Sequence, residues 1–144
     1  MKDFPIFHLA IPIQNIEQAR EFYAKGLGCQ VGRSSEKAII FNFCGHQLVA
    51  HLVEEELPRQ KGIYPRHFGL VFAQESDWSN LWQKIQAQGL NIYQPARTRF
   101  LGEVTEHSTF FLSDPFGNLL EFKYYTHNEA IFGAQNHFQV GDTD

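Results

Sequence analysis

Residues 8–13 read His8-Leu9-Ala10-Ile11-Pro12-Ile13, and residues 67–72 read His67-Phe68-Gly69-Leu70-Val71-Phe72. Each is a short apolar run opened by histidine, with the length and composition of a strand. After the first, Ile16, Ala19, Phe22, Tyr23 and Leu27 recur at helical spacing until Gly26 and Gly28 stop the pattern. After the second, Trp78, Leu81, Trp82 and Ile85 do the same until Gly89. The two openings stand 59 residues apart, position 8 against position 67. Such self-similarity at a fixed offset marks one supersecondary unit used twice.

Working outward, three strand-like runs follow each helix. They are Cys29–Arg33, Ala38–Phe43 and Gln47–Val53 in the first unit, and Asn91–Arg97, Ser108–Ser113 and Leu119–Tyr125 in the second. The segment Asp114-Pro115-Phe116-Gly117-Asn118 is a hairpin turn, with proline preset for the bend and glycine free to take positive φ. The fold expected is α+β: two paired βαβββ modules forming a curved mixed sheet around a metal-binding cavity. The whole chain, 1–144, is read as one domain, with module one at about 4–53, a linker at 54–65, module two at about 66–125 and a tail at 126–144. Three consecutive acids and two prolines make the linker a solvated loop. The tail keeps Ile131, Phe132 and Phe138 without a period, and folding over the cavity, joining a dimer contact and fraying are all open to it.

Composition narrows the function classes. A hydrophobic fraction of 43% and a charged fraction of 19% are those of an ordinary globular chain. No stretch approaches the roughly 20 apolar residues of a membrane span, so no membrane partner is expected. The net charge of −4 gives no basic footprint for nucleic acid. Cys29 and Cys44 match no metal or redox spacing and read as free thiols, which suits the cytoplasm. The N-terminus does not read as a secretory signal.

Alternation then assigns faces, because strand side chains point to opposite sides with period two. Phe7, Leu9 and Ile11 oppose His8; Leu48, Ala50 and Leu52 oppose His51; Phe68, Leu70 and Phe72 oppose His67; Leu120, Phe122 and Tyr124 oppose Glu121. Each apolar trio suits packing under a helix, and each ionisable residue falls on the other side. Two such sheets facing each other gather the four around one cavity, with His8 answering to His67 and His51 to Glu121. Two imidazoles and a carboxylate suit Fe(II) or Mn(II) first, with Zn(II), Ni(II) or Co(II) compatible, and leave coordination positions open to substrate. His8, His67 and Glu121 are therefore the expected metal ligands. His46, His107, His127 and His137 have no partners in this pattern and are read as ordinary turn, strand and tail residues. Phe41, Phe43, Phe110 and Tyr125 are candidates for a flat apolar pocket wall, with core packing as the alternative for each. Arg99 is the candidate for an anionic substrate group, with a solvated arginine as the alternative.

The paired units, the HLAIPI and HFGLVF openings and the ending DPFGNLLEFK resemble the vicinal oxygen chelate superfamily over about residues 4–125. That superfamily includes glyoxalase I, extradiol dioxygenases, fosfomycin-resistance proteins and bleomycin-binding proteins. The runs GRSS, FNFCGHQLVAHLV and TFFLSDPFGN are similar to its single-domain, extradiol-dioxygenase-like branch. The resemblance implies metal ligation by His8, His67 and Glu121, a small-molecule substrate and a homodimer. It also gives His51 one of two roles: the proton-exchanging histidine of an extradiol dioxygenase, or the fourth ligand of a glyoxalase-type isomerase. The strand Ser108-Thr109-Phe110-Phe111 lacks the tyrosine that extradiol enzymes usually carry. Oxygenolytic cleavage of a small aromatic diol is the leading expectation, the isomerase and a non-catalytic binder the alternatives.

Overall fold

The computed structural model describes residues 4–141; the first three residues, and Asp142–Asp144 of the expected tail, lie outside the described residues. The first unit runs β1 (His8–Ile13), a helix α1 that is α-helical over Ile16–Ala19 and π-helical over Arg20–Gly26, β2 (Gln30–Ser34), β3 (Ala38–Phe43) and β4 (His46–Leu52). The second runs β5 (Phe68–Phe72), α2 (Glu75–Gln88), β6 (Ile92–Arg99), β7 (His107–Ser113) and β8 (Leu119–Tyr125), followed by one 3₁₀ turn at Asn128–Ala130. Each unit builds its own four-stranded mixed sheet, ordered β1-β4-β3-β2 and β5-β8-β7-β6. In each, the opening strand lies parallel to the last and the remaining pairs are antiparallel. The fold is α+β, built of two βαβββ modules.

Local sequence explains both helices. Asn15 caps α1 by accepting a hydrogen bond from the Gln18 N–H at 2.8 Å. The helix then widens, with the Leu27 N–H reaching back to the Phe22 carbonyl at 3.0 Å. This departs from the plain α-helix expected there; in the widened turn the neighbours Phe22 and Tyr23 both bury, their rings 4.8 Å apart. Helix α2 lays Trp78 and Trp82 on Phe110 and ends at Gly89, whose φ of 69° closes the left-handed cap.

The helix-covered faces of both sheets share one core. Ile11, Ile13, Phe41 and Leu48 of the first unit and Ile85, Phe110, Leu120 and Phe122 of the second belong to one contiguous buried cluster. Within the chain this overturns the expectation of two sheets facing each other across a four-residue cavity. Apolar faces bury against one another, so both histidine-bearing faces are left on the outside, where His8 and His51 are exposed.

A second fastening is polar. Asp114, in the β7–β8 turn, is buried and accepts from the Tyr23 hydroxyl (2.7 Å), the Phe116 and Asn118 N–H groups (2.9 and 2.8 Å) and the Asn118 side-chain amide (2.7 Å). Asn118 also donates to the Pro12 carbonyl at 2.9 Å. Burial pushes the Asp114 carboxyl above its ordinary range, and the four donors hold that rise in check. Burial, joined by the Asp114 charge, raises the Tyr23 phenol well above its ordinary value. Tyr23→Phe is expected to lower the unfolding free energy by about 1.5–3 kcal/mol, the usual worth of a hydrogen bond to a charged group. Urea denaturation of the two proteins checks it.

Candidate metal and substrate site

The site grows from the outer face of the second sheet. His67 stands immediately before β5 and Glu121 in the middle of β8, and their side chains meet with Nε2 and Oε1 3.1 Å apart. Register explains the meeting. Gly69 pairs with Glu121, and a Cβ at Gly69 would lie 1.6 Å from the Glu121 carbonyl oxygen, so only glycine lets β5 come this close to β8.

Each ligand candidate is held by a second contact. The Nδ1–H of His67 donates to the Ile63 carbonyl at 2.6 Å, which turns Nε2 toward Glu121. Glu121 is buried, and its Oε2 accepts from the Thr109 hydroxyl at 2.5 Å. Burial alone would raise the Glu121 carboxyl; hydrogen bonds with His67 and Thr109, with the charge of Lys123, outweigh it and hold it below the ordinary range. The hydrogen bond with Glu121 holds His67 above the usual imidazole range. With Nδ1 committed, a neutral His67 turns a lone pair toward a carboxylate oxygen. The contact closes only when a positive charge joins the two atoms, either a proton on Nε2 or a divalent cation bound by both. Imidazole nitrogen and carboxylate oxygen, each fixed from behind, fit such a cation.

Around this pair lies a cavity of about 380 Å³, walled by Phe111, His107, Lys123, Tyr125, Arg99 and a stretch of the chain after β8. Residues 130–134 and 139–141 close over it, so of the three courses open to the tail this stretch takes the one across the cavity. The Phe111 ring meets His67 edge to face at 5.2 Å. Lys123 Nζ is 3.7 Å from Glu121 Oε1 and 3.3 Å from the Tyr125 hydroxyl. His107 donates its Nδ1–H to the Thr105 carbonyl at 3.0 Å. Burial pushes the His107 imidazole below its usual range, and the charges of Lys123 and Arg99 add to this.

The other expected site residues are placed as follows. Phe41 and Phe110 are fully buried in the shared core, and Phe43 lies there against Phe68 and Phe122. These three are therefore not walls of this cavity; Phe110 alternates with Phe111, which is, and Phe41 and Phe43 lie on β3 of the first unit, which does not reach it. Tyr125 does line it. Arg99 lines it too, but its guanidinium donates to the Gly141 carbonyl at 3.4 Å and lies over the Phe100 ring. His8 is exposed on the outer face of the first sheet, and its Nδ1–H donates to the Gln47 amide oxygen at 2.8 Å. Among the described residues no three His, Cys, Asp or Glu gather as a metal centre, so one chain brings together His67 and Glu121 but not His8.

The ladders also correct an equivalence. Gly69 pairs with Glu121 and Val71 with Lys123; their counterparts Ala10 and Pro12 pair with Val49 and His51. The counterpart of Glu121 is therefore Val49, and His51 answers to Lys123, two residues further along the strand. Thr109, Phe111, His107 and Lys123 were missed as members of the site. The turn at 114–118 carried the signal: counting outward from it sets Ser113 opposite Leu119 and Phe111 opposite Glu121.

A model of the glyoxalase/bleomycin resistance protein/dioxygenase superfamily matches residues 6–122. The chain belongs to that superfamily. Its members generally use divalent metal ions, bind small molecules and often form dimers. A glyoxalase/bleomycin resistance protein/dioxygenase from Alicyclobacillus acidocaldarius is 41% identical, with 89% of this chain and 96% of that one covered and a TM-score of 0.84. The fosfomycin resistance protein FosX from Listeria monocytogenes shares the fold at 17% identity, covering 90% and 98% of the two chains with a TM-score of 0.67. A lactoylglutathione lyase from Agrobacterium tumefaciens shares it at 16% identity, covering 83% and 92% with a TM-score of 0.64. No helix among the described residues is long and apolar enough to cross a membrane.

Gly69→Ala tests the close approach under the superfamily site. It is expected to lower the unfolding free energy by at least about 1–3 kcal/mol, the scale of an overpacked interior, because the atom in the way is backbone. Thermal denaturation checks it.

Proposed function

We propose that this protein is a divalent-metal-dependent enzyme of the extradiol-dioxygenase kind, cleaving a small aromatic diol, with Fe(II) or Mn(II) held by two imidazoles and one carboxylate. The observation that carries this reading is the ladder register. A four-ligand, isomerase-type centre needs a donor at the counterpart of Glu121, and that position is Val49, which has none. The donor set then closes at three residues, with positions open for two neighbouring substrate oxygens. The ion supplies Lewis acidity toward those oxygens and a binding position for O₂.

The third ligand in this reading is His8 from a second copy of the chain. His8 lies on an outer sheet face, and its ring is already oriented through Nδ1, as a ligating histidine is. Pairing the outer face of one chain's first sheet with that of another's second sheet brings His8 to His67 and Glu121. It also brings His51, whose imidazole takes the proton from a substrate hydroxyl and returns it to the opened product. Phe111 and Tyr125 offer flat surfaces to the ring, and the stretch after β8 lines the cavity beside them.

Three measurements test this. Protein purified without oxygen is expected to carry about one divalent ion per chain, and a catechol panel is expected to show ring opening by absorbance. His51→Ala is expected to keep its metal while losing roughly 10²–10⁴-fold in turnover. His67→Ala loses the metal. Metal loss in His51→Ala equal to that in His67→Ala would overturn the acid–base role and favour a ligand role.

The shared site has its own test. Separately, the His8→Ala and Glu121→Ala chains are inactive. Mixed and reassorted, they regain activity, because one of the two sites in the mixed dimer has all three ligands. No recovery from demonstrated mixed dimers overturns the sharing.

A further inference from the structure

The linker between the units is braced by its own side chains. Residues 54–59 are exposed, yet Ile63 is only 7% exposed and packs with Phe111 and Leu119. Arg59 donates to the Pro115 carbonyl at 3.3 Å and passes close to Gly117, which ties the linker to the β7–β8 turn. Gln60, next to it, turns its amide inward. Its Nε2 donates to the Gly62 carbonyl at 2.9 Å and to the Arg66 carbonyl, so both ends of segment 62–66 meet on one nitrogen. The atom between two carbonyls has to be the nitrogen, because an oxygen there would face two acceptors. Gln60 Oε1 is then left buried, with no hydrogen-bond partner among the described residues. A side chain that only filled this space would do so better without that oxygen, since a buried unpaired acceptor costs stability. What the amide contributes is its pair of N–H groups.

We propose that Gln60 is a positioning residue for the metal ligand His67: by closing the 62–66 loop it fixes the Ile63 carbonyl that takes the His67 Nδ1–H. This rests on the reading of His67 as a ligand. Ile63 is the second residue of the closed segment, and its carbonyl lies 2.6 Å from Nδ1. The Ile63 side chain is anchored beside Phe111, whose ring also meets His67 edge to face. Backbone and side chain of Ile63 are thus held separately, the first through Gln60 and the second through the small apolar cluster. A ring held at Nδ1 keeps Nε2 aimed at Glu121 Oε1, 3.1 Å away. Nothing at Gly62 replaces the amide, because a Cβ there would meet no atom within 4 Å. Without the Gln60 N–H groups the Gly62 and Arg66 carbonyls part, the loop widens, and the Ile63 carbonyl no longer holds one orientation of His67.

The test compares the full-length wild type with Gln60→Met and Gln60→Glu. Methionine keeps the length of the side chain and removes the N–H groups together with the unpaired oxygen. Glutamate keeps the outline and offers no donor at neutral pH, which guards against a folding defect peculiar to the first variant. The proton–nitrogen NMR signal of the His67 Nδ1–H is read without metal, and Co(II) affinity is then measured by visible absorption. The wild type is expected to show a protected Nδ1–H that both variants lose. The metal-free melting temperature of Gln60→Met is expected to stay within about 4 °C of the wild type. Co(II) affinity is expected to fall about tenfold in both variants, the low end for a group behind a metal ligand. An Nδ1–H absent from the wild type or intact in the variants, an unchanged Co(II) affinity, or unfolding of both variants overturns the proposal. A wild type that binds no Co(II), while its Nδ1–H still depends on Gln60, sinks the metal reading and leaves the positioning of His67 standing.

Discussion

The Asp114 carboxylate gathers a hydroxyl from the first unit's helix and three N–H groups from its own turn, and through Asn118 the same turn reaches the backbone of β1. A buried carboxylate is costly without its donors, and one of the four, the Tyr23 hydroxyl, is supplied only when both units are in place. The shared apolar core is large but non-directional; the Asp114 network is directional and sets the relation of the units. It also begins β8, since the residues after Asn118 are Leu119, Leu120 and Glu121. The height of the ligand candidate on its strand is therefore counted from the same turn that fastens the halves.

Strand β8 shows how one strand serves two environments. Leu120 and Phe122 enter the shared core, and Glu121, Lys123 and Tyr125 face the cavity. The same division runs through β7, where Phe110 lies against Trp78 and Trp82 and Phe111 lies against His67. A shift of one residue in register would exchange every one of these roles. The bolted turn thus protects the chemistry as well as the packing.

Three histidines, His8, His67 and His107, each give their Nδ1–H to an oxygen, which fixes the ring and directs Nε2 away from that contact. Their surroundings then separate them. His67 faces a carboxylate and is raised; His107 is buried near two cations and is lowered. The same side chain is in one place a partner for positive charge and in the other a neutral wall.

Much of this was legible in the sequence. The repeat of His-led strands, the glycine stops and the DPFGN turn led to two βαβββ modules, and alternation set His67 and Glu121 on one face, because period and turn chemistry are local properties of the chain. Alternation alone could not rank Phe110 against Phe111; that took the pairing of β7 with β8, which fixes the face of one strand by that of its neighbour. Nor did the repeat offset align His51 correctly, since it equates positions on the opening strands while the ladder decides which residue of the last strand lies beside them. Tertiary structure also decided which faces of the two sheets meet: the amphipathic patterns made both helix-covered faces sticky, and only packing showed that they bury against each other. That choice turned His8 outward, drew the stretch after β8 over the cavity and brought Lys123 beside Glu121, because such placements depend on contacts between residues far apart in the chain, which no local pattern records.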